Sequence, residues 1–421
     1  MTETARTPAE LGALTQSLLD DLALVTDEPG RVTRTYLSPA HARSIDLVGG
    51  WMRARGLTTG LDAVATLRGR RDADGGGAGR IVLLGSHIDT VVDAGKLDGC
   101  LGVVASIVAL EEIARRGVRL PFAVEILAFG DEEGVRFPSP LSSSSAATGT
   151  YRREWLDVRD RDGISLAEAL RAFGCDPARI GEAAIDPARV IGFLEVHIEQ
   201  GPRLEDWGLP LGVVTSIAGQ TRMGFTLEGM AGHAGTVPMG LRRDAFTGLA
   251  EIALAVERIG REGTSDLVAT IGRVAVLPGA GNTVPGRVEA SLDVRAGADA
   301  PRLVALDRIR HQAERIAKKR GLTVAFERHV DVPTVAMDDG LQDAFARAVL
   351  SLGLDTRRLP SGAGHDAMAM ARRFPAAMLF VRSKDGISHN PREWSDPLDL
   401  GLAVEALIRT LLQLAEQERA R

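Results

Sequence analysis

The sequence predicts an α/β protein: a discontinuous α/β domain with a mixed, mostly parallel sheet, plus an inserted ferredoxin-like (βαββαβ) domain. Three observations carry that prediction. Short, continuously apolar runs at 80–86 and 122–129 flank a helical stretch, the pattern of strands buried on both faces of a parallel sheet. From about 211 the texture changes to alternating strands and helices in the order βαββαβ. After about 330 the first texture resumes, so 1–210 and 330–421 read as one domain and 211–329 as the insert.

In chain order, 9–26 and 40–55 place apolar residues at helical spacing, and the glycine- and aspartate-rich 72–79 reads as an exposed turn. The run Arg80-Ile81-Val82-Leu83-Leu84-Gly85-Ser86 is a buried strand ending at His87. Residues 101–116 form a helix stopped by Gly117, 122–129 a second strand, and 190–196 a third that ends at His197. In the insert, 221–228, 267–276, 287–295 and 322–328 are strands, and 243–262 and 301–320 are helices. The remainder gives helices at 341–352, 363–372 and 398–416 and a strand at 377–382. Polar residues thus sit repeatedly just past the carboxyl ends of apolar strands, the edge at which open α/β sheets bind ligands.

Composition narrows the chemistry. With 421 residues, 45% hydrophobic and 25% charged, the chain has ordinary globular usage, which excludes wholesale disorder and a collagen-like fold. Two cysteines, Cys100 and Cys175, build neither a disulfide framework nor a thiolate zinc module, so any metal site must use His, Asp and Glu. A net charge of −6 argues against a nucleic-acid partner held by a basic surface. No signal-like start and no run of eighteen apolar residues is present, so the expectation is a cytoplasmic protein with no membrane partner.

Five short segments carry the chemistry: His87-Ile88-Asp89, Asp98 in Lys96-Leu97-Asp98-Gly99, Asp131-Glu132-Glu133-Gly134, His197 in Glu195-Val196-His197-Ile198-Glu199-Gln200-Gly201, and His389 in Gly386-Ile387-Ser388-His389-Asn390-Pro391. If they converge on one sheet edge, several carboxylates crowd where water is partly excluded, and like charges so placed raise one another's pKa or require cations. His87, His197 and His389 with Asp98 and Glu133 make an N/O ligand set for two divalent metals, one carboxylate bridging. Asp89 can accept the other imidazole N–H of His87, which leaves Glu132 free as general base. Each residue also has a plain reading. A lone histidine at a strand end is usually a partly buried polar group, an Asp-Glu-Glu triplet suits a solvated turn, and Asp98 suits the cap of the next helix. Their joint placement favours the metal reading. Gly362-Ala363-Gly364-His365-Asp366 either brings backbone close to substrate or caps the following helix.

Together with Gly232-His233-Ala234-Gly235-Thr236-Val237-Pro238-Met239, these motifs resemble the amidase, hydantoinase and carbamoylase branch of the M20 metallohydrolases, over about 40–395 and in the family's order. The resemblance implies that His87 and His197 bind one metal, Glu133 and His389 the other, and that Asp98 bridges them. It makes Glu132 the acid/base and Asp89 the residue that orients His87. The insert resembles the family's dimerisation lid, so a homodimer is implied, with His233 stabilising the oxyanion, often at a neighbouring subunit's site. Arg222, Asn282 in Gly281-Asn282-Thr283-Val284-Pro285-Gly286, and Arg295 match positions that bind substrate carboxylate and amide groups, and Gln200 lines the same pocket. Read without the family, Asn282 is an ordinary turn residue and Arg295 a surface charge.

The implied cofactors are two divalent ions, manganese or zinc, with cobalt or nickel also suited to such ligands. The implied reaction is hydrolysis of a ureido group, –NH–CO–NH2, on a small-molecule carboxylate substrate. Ala218-Gly219-Gln220-Thr221-Arg222 and Met378-Leu379-Phe380-Val381-Arg382 look most like the allantoate amidohydrolases, which release ammonia and carbon dioxide from allantoate to leave ureidoglycine. N-carbamoyl-L-amino-acid hydrolase and β-ureidopropionase are the alternatives. One departure stands out: the family has glycine-rich sequence after the acidic motif, whereas this chain has Pro138-Ser139-Pro140 and then Leu141 and four serines, which stiffens the segment beside Glu132.

Overall fold

In a computed structural model of the chain, residues 4–74 and 79–420 are described, so positions 75–78 of the expected turn lie outside the described residues. The chain divides into two compact units, one of 1–215, 336–359 and 364–421, the other of 216–335 and 360–363.

The first unit is built on a mixed sheet. Among the described residues seven of its nine strands lie in the order Thr58–Leu61, Leu67–Arg71, Ala123–Phe129, Ile81–His87, Val190–Ile198, Ala376–Val381, Leu211–Ile217, and the short Val335–Ala336 and Arg357–Ser361 both pair with the last of these. The central four, from Ala123–Phe129 to Ala376–Val381, are mutually parallel, and antiparallel strands flank them. Ile81–His87 and Ala123–Phe129 are buried at every position, as their continuous apolar runs require when helices cover both faces. Helix Cys100–Arg115 crosses between them, and Gly117 follows it at φ 66°. Pro8–Ala23 starts at a capping box between Thr7 and Glu10, and Pro39–Ala54 at a Ser38 cap. The first of these packs on Pro397–Arg419 at a crossing where Gly12 faces the Pro397 carbonyl and Gly401 that of Pro8, too close for any Cβ.

Several features depart from the sequence pattern. The hairpin Thr58–Leu61 with Leu67–Arg71 is short and largely polar, so it carries no strand period. Leu211–Ile217 pairs with Ala376–Val381 in the first unit's sheet, and the second unit begins at Ser216 instead of 211. The expected helix at 363–372 is confined to Asp366–Met370. The serine tract is a helix, Ser142–Ala147, with all six residues buried.

In the second unit, Gly219–Glu228, Ala245–Glu262, Val268–Leu277, Arg287–Ala296, Asp299–Arg320 and Thr323–Val332 follow one another as βαββαβ. Its four strands are antiparallel, in the order last, first, third, second, the ferredoxin-like arrangement. Leu227, Ile252, Val288, Leu292 and Ile309 join the core between sheet and helices.

Candidate metal centre

Parallel register brings the strand-end residues to one edge. His87 is paired with Phe129, so the Asp131-Glu132-Glu133 turn begins two residues past the strand neighbouring His87. Val190–Ile198 lies on the other side of Ile81–His87 and carries His197 near its own carboxyl end. Asp98 enters from the loop before Cys100–Arg115, where Gly99 caps the helix at φ 66° and presses on the His87 ring, which leaves no room for a Cβ. Asp98 therefore does not cap this helix. His389 comes from a loop after Ala376–Val381 and takes a left-handed φ of 53°.

The Asp98 carboxylate is the centre of the arrangement. Its Oδ1 lies 3.2 Å from His197 Nε2 and 3.8 Å from His87 Nε2, while Oδ2 lies 3.1 Å from His389 Nε2. His389 Nε2 is also 3.5 Å from Glu133 Oε1. Among the described residues four donor groups are close enough to hold an ion, and two of them, His87–Asp98–His197 and Asp98–Glu133–His389, share Asp98; the others are His87–Glu132–Glu133 and Glu195–His197–His365. The distal nitrogens are fixed too: His197 Nδ1 lies 2.9 Å from the Ile198 carbonyl, and His87 Nδ1 3.0 Å from the Asp89 carbonyl and 3.5 Å from its Oδ1. The same Asp89 carboxylate accepts the backbone N–H groups of Glu132 and Glu133, each at 3.3 Å, so it ties the acidic turn to His87. Glu132 Oε2 stands 3.9 Å from His87 Nε2.

So much charge in so little water has electrostatic consequences. Burial pushes Glu132 well above the usual carboxylate range, opposed by His87 and helped by Glu133, Asp366 and Asp89. Burial likewise raises Glu133 to about 7. The hydrogen bond to Asp98 lifts His389 to about 9. Burial opposes the low pKa of Asp98, but hydrogen bonds from His197 and His389 hold it well below the ordinary value. The cluster thus holds its carboxylates together with protons on neighbouring groups. A set of imidazole nitrogens and carboxylate oxygens that must otherwise carry protons is chemically suited to exchange them for divalent cations.

Some contacts have no local sequence signal. Gln200, at φ 56°, donates from Nε2 to Asp98 Oδ2 at 2.8 Å and to Ser388 Oγ at 3.1 Å. Glu393 accepts the N–H groups of Leu97 and Asp98. His365 packs its ring edge-on to His197 with centroids 4.4 Å apart. His365 occupies the N-cap position of the helix that follows, but its side chain makes no capping bond there; Glu195 instead accepts the Ala367 N–H at 3.0 Å while Ser86 donates to its other oxygen at 2.7 Å. The serine tract also has a task. Ser142 donates to Asp131 Oδ2 at 2.5 Å and Ser143 to the Gly130 carbonyl, which pins the turn bearing Glu132 and Glu133, with Asp131 at φ 64°. Cys100 is buried and accepts from the buried Arg34 at 3.0 Å.

The other proposed substrate residues belong to the second unit. Arg222 and Arg295 both grip Asp293: Arg222 Nε is 3.0 Å from Oδ2 and Arg295 Nε 3.1 Å from Oδ1. Arg295 Nη1 also donates to the Gly362 carbonyl at 2.9 Å. His233 lies elsewhere in the unit. Arg222 is registered opposite Asp293 and Glu228 opposite Arg287, and beyond that end Gly232–His233 pairs with Thr283–Val284, next to Asn282. The strand rises about 20 Å between Arg222 and Glu228.

A family model described as peptidase family M20/M25/M40 matches residues 83–413. An N-carbamoyl-L-amino acid amidohydrolase of Geobacillus stearothermophilus is 41% identical over 95% of this chain and 98% of its own length. An allantoate deiminase of Arabidopsis thaliana is 40% identical, covering 93% of this chain and 80% of the relative. Among solved structures, a hydantoinase/carbamoylase family amidase from Burkholderia ambifaria superposes with a TM-score of 0.90 at 34% identity, over 96% of this chain and 97% of that one.

Proposed function

The chain belongs to peptidase family M20/M25/M40 and is an amidohydrolase of that family, and from this premise we propose that it hydrolyses the ureido C–N bond of a small carboxylate. The observation that carries the proposal is the two-sided Asp98 carboxylate, one oxygen toward His197 and His87 and the other toward His389. That geometry supports two divalent ions: His87 and His197 would hold one, Glu133 and His389 the other, and Asp98 would contribute to both. When bound, such ions polarise a carbonyl and bring the acidity of water toward neutral pH.

The chain's own residues do the rest. Glu132, whose burial raises its affinity for a proton, accepts the proton of the attacking water as a carboxylate and returns it to the departing nitrogen. Asp89 keeps that turn and the His87 ring in one orientation. His233 donates to the oxyanion that forms when the ureido carbonyl is attacked. Arg295, held by Asp293 through Nε and Nη2 and by the Gly362 carbonyl through Nη1, binds the substrate carboxylate through its remaining Nη–H groups, while Arg222, Asn282 and Gln200 add directional contacts. Because the strand rises about 20 Å between Arg222 and Glu228, and His233 and Asn282 follow beyond that end, a small substrate does not touch both pairs of one chain. A homodimer in which a second copy supplies one pair resolves this.

The two relatives act, by name, on N-carbamoyl-L-amino acids and on allantoate, and share the ureido group; identities of 41% and 40% support the two substrates equally. We assign allantoate as the first substrate, with N-carbamoyl-L-amino acids and β-ureidopropionate as alternatives. Ammonia release is measured from all three classes after loading with manganese or zinc. Turnover of allantoate supports the assignment, turnover of N-carbamoyl-L-amino acids in its place moves it to the alternative, and no turnover of any ureido carboxylate sinks it.

A further inference from the structure

The two loops that present Asp98 and His389 are joined by one side chain that is not itself a donor in either metal group. Glu393 is buried, and its Oε1 accepts the N–H groups of Leu97 at 2.8 Å and Asp98 at 3.1 Å. Its Oε2 faces the Ser388 hydroxyl at 2.9 Å, and that hydroxyl lies 3.1 Å from Asp98 Oδ2. Glu393 is therefore bonded to the backbone of one loop and to the residue preceding His389 in the other. The turn that delivers it is closed by Asn390, whose carbonyl accepts the Glu393 N–H at 2.9 Å and whose Oδ1 accepts that of Arg392 at 2.9 Å.

The opposing loop is shaped to receive it. A Cβ on Gly95 would fall on Oε1, Cβ and Cδ of Glu393, so glycine at 95 and glutamate at 393 form one steric unit. His389 needs such support, because its left-handed φ of 53° persists only where the surroundings over-determine it. Asp98, for its part, can serve two ions only if its plane stays fixed between His197 and His389.

We infer that Glu393 is a positioning residue for the metal pair, a strut that holds the Asp98 loop and the His389 loop in the register that lets one carboxylate face both sets of ligands. The inference rests on the two-ion reading of Asp98. Groups that orient metal ligands from behind typically contribute 10–100-fold to metal affinity, and Glu393 acts on two ligands at once.

Wild type, Glu393→Ala, Gly95→Ala and Glu393→Gln are stripped with chelator and titrated with Mn2+ alone by calorimetry, with elemental analysis of the desalted protein. Glu393→Ala removes the strut, and Gly95→Ala displaces it while leaving its carboxylate intact. Both are expected to weaken the weaker Mn2+ site by about 10–100-fold while the metal-free proteins still unfold in a single cooperative thermal transition. Glu393→Gln keeps an acceptor for both N–H groups and a donor for Ser388, and is expected to stay within about threefold of wild type. Unchanged Mn2+ affinity in Glu393→Ala overturns the inference, and if that variant does not fold, unchanged affinity in Gly95→Ala does so. If wild type binds neither Mn2+ nor, in a parallel titration, Zn2+, the two-ion reading itself falls. If wild type and both alanine variants bind two ions equally tightly, that reading stands and the strut is lost.

Discussion

Asp98 Oδ2 lies 3.1 Å from His389 Nε2, on the side of the carboxylate away from His197. This contact joins the two donor groups through one residue. Asp98→Asn keeps the size of the side chain but removes the charge and turns one oxygen into a donor. The expected outcome is loss of at least one bound ion per chain, measured by elemental analysis, while Glu132→Gln retains the wild-type metal content.

Glu132→Gln should instead abolish proton transfer. General acid–base groups contribute about 10²–10⁴-fold, and the fall is expected in kcat at saturating substrate with KM little changed. Steady-state ammonia release on the metal-loaded variant checks it. Substantial residual turnover would remove Glu132 from the mechanism.

Arg295→Lys tests the carboxylate anchor. Lysine keeps the charge but not the planar fork that meets Asp293 through two nitrogens and Gly362 through a third. KM is expected to rise about tenfold or more, in line with about 1.5–3 kcal/mol for charged hydrogen bonds, with kcat much less affected.

Mixing two inactive variants tests the second-copy assignment. Co-expressed His233→Ala and Asp98→Asn chains form mixed dimers in which one site has both its own metal ligands and a partner's intact His233. Roughly a quarter of wild-type activity should return in a statistical mixture. No recovery would place His233 in its own chain's reaction, and an active His233→Ala chain on its own would place it outside the reaction.

His41 gives a pH signature unrelated to catalysis. It is buried, accepts the Leu37 N–H on Nδ1 at 3.1 Å and has no hydrogen-bond partner at Nε2. Burial lowers its pKa to about 4 from 6.5, with Asp89 and Asp27 opposing the shift and Arg34 reinforcing it. As pH falls below 6.5 the unfolded chain takes the proton and the folded one does not, so stability drops until about pH 4. About 2–3 kcal/mol of this loss is expected by pH 4.5, and urea melts of wild type against His41→Gln from pH 7 to 4.5 should show that slope in the wild type alone.

The legible parts of this protein are those governed by local pattern. The runs at 80–86 and 122–129 read as buried strands because a strand covered on both faces needs apolar side chains at consecutive positions. The βαββαβ order of the second unit followed from periodicity in the same way, and the acidic and histidine motifs stood at the strand ends where they were read. The polar hairpin Thr58–Leu61 with Leu67–Arg71 escaped that reading, as did the serines at 142–145, whose hydroxyls are buried against the acidic turn.

Local pattern therefore specified the buried strands, the amphipathic helices and the residue types that meet the carboxyl edge of the sheet, because burial imposes a period on the neighbouring chain. Tertiary structure decided the pairings: Asp98 between His197 and His389, Asp89 beneath the Glu132 turn, Asp293 between Arg222 and Arg295, and Glu393 across two loops. Such contacts depend on strand register and loop approach between segments far apart in sequence. A carboxylate's partner is set by the distance across that gap, and local pattern carries no record of it.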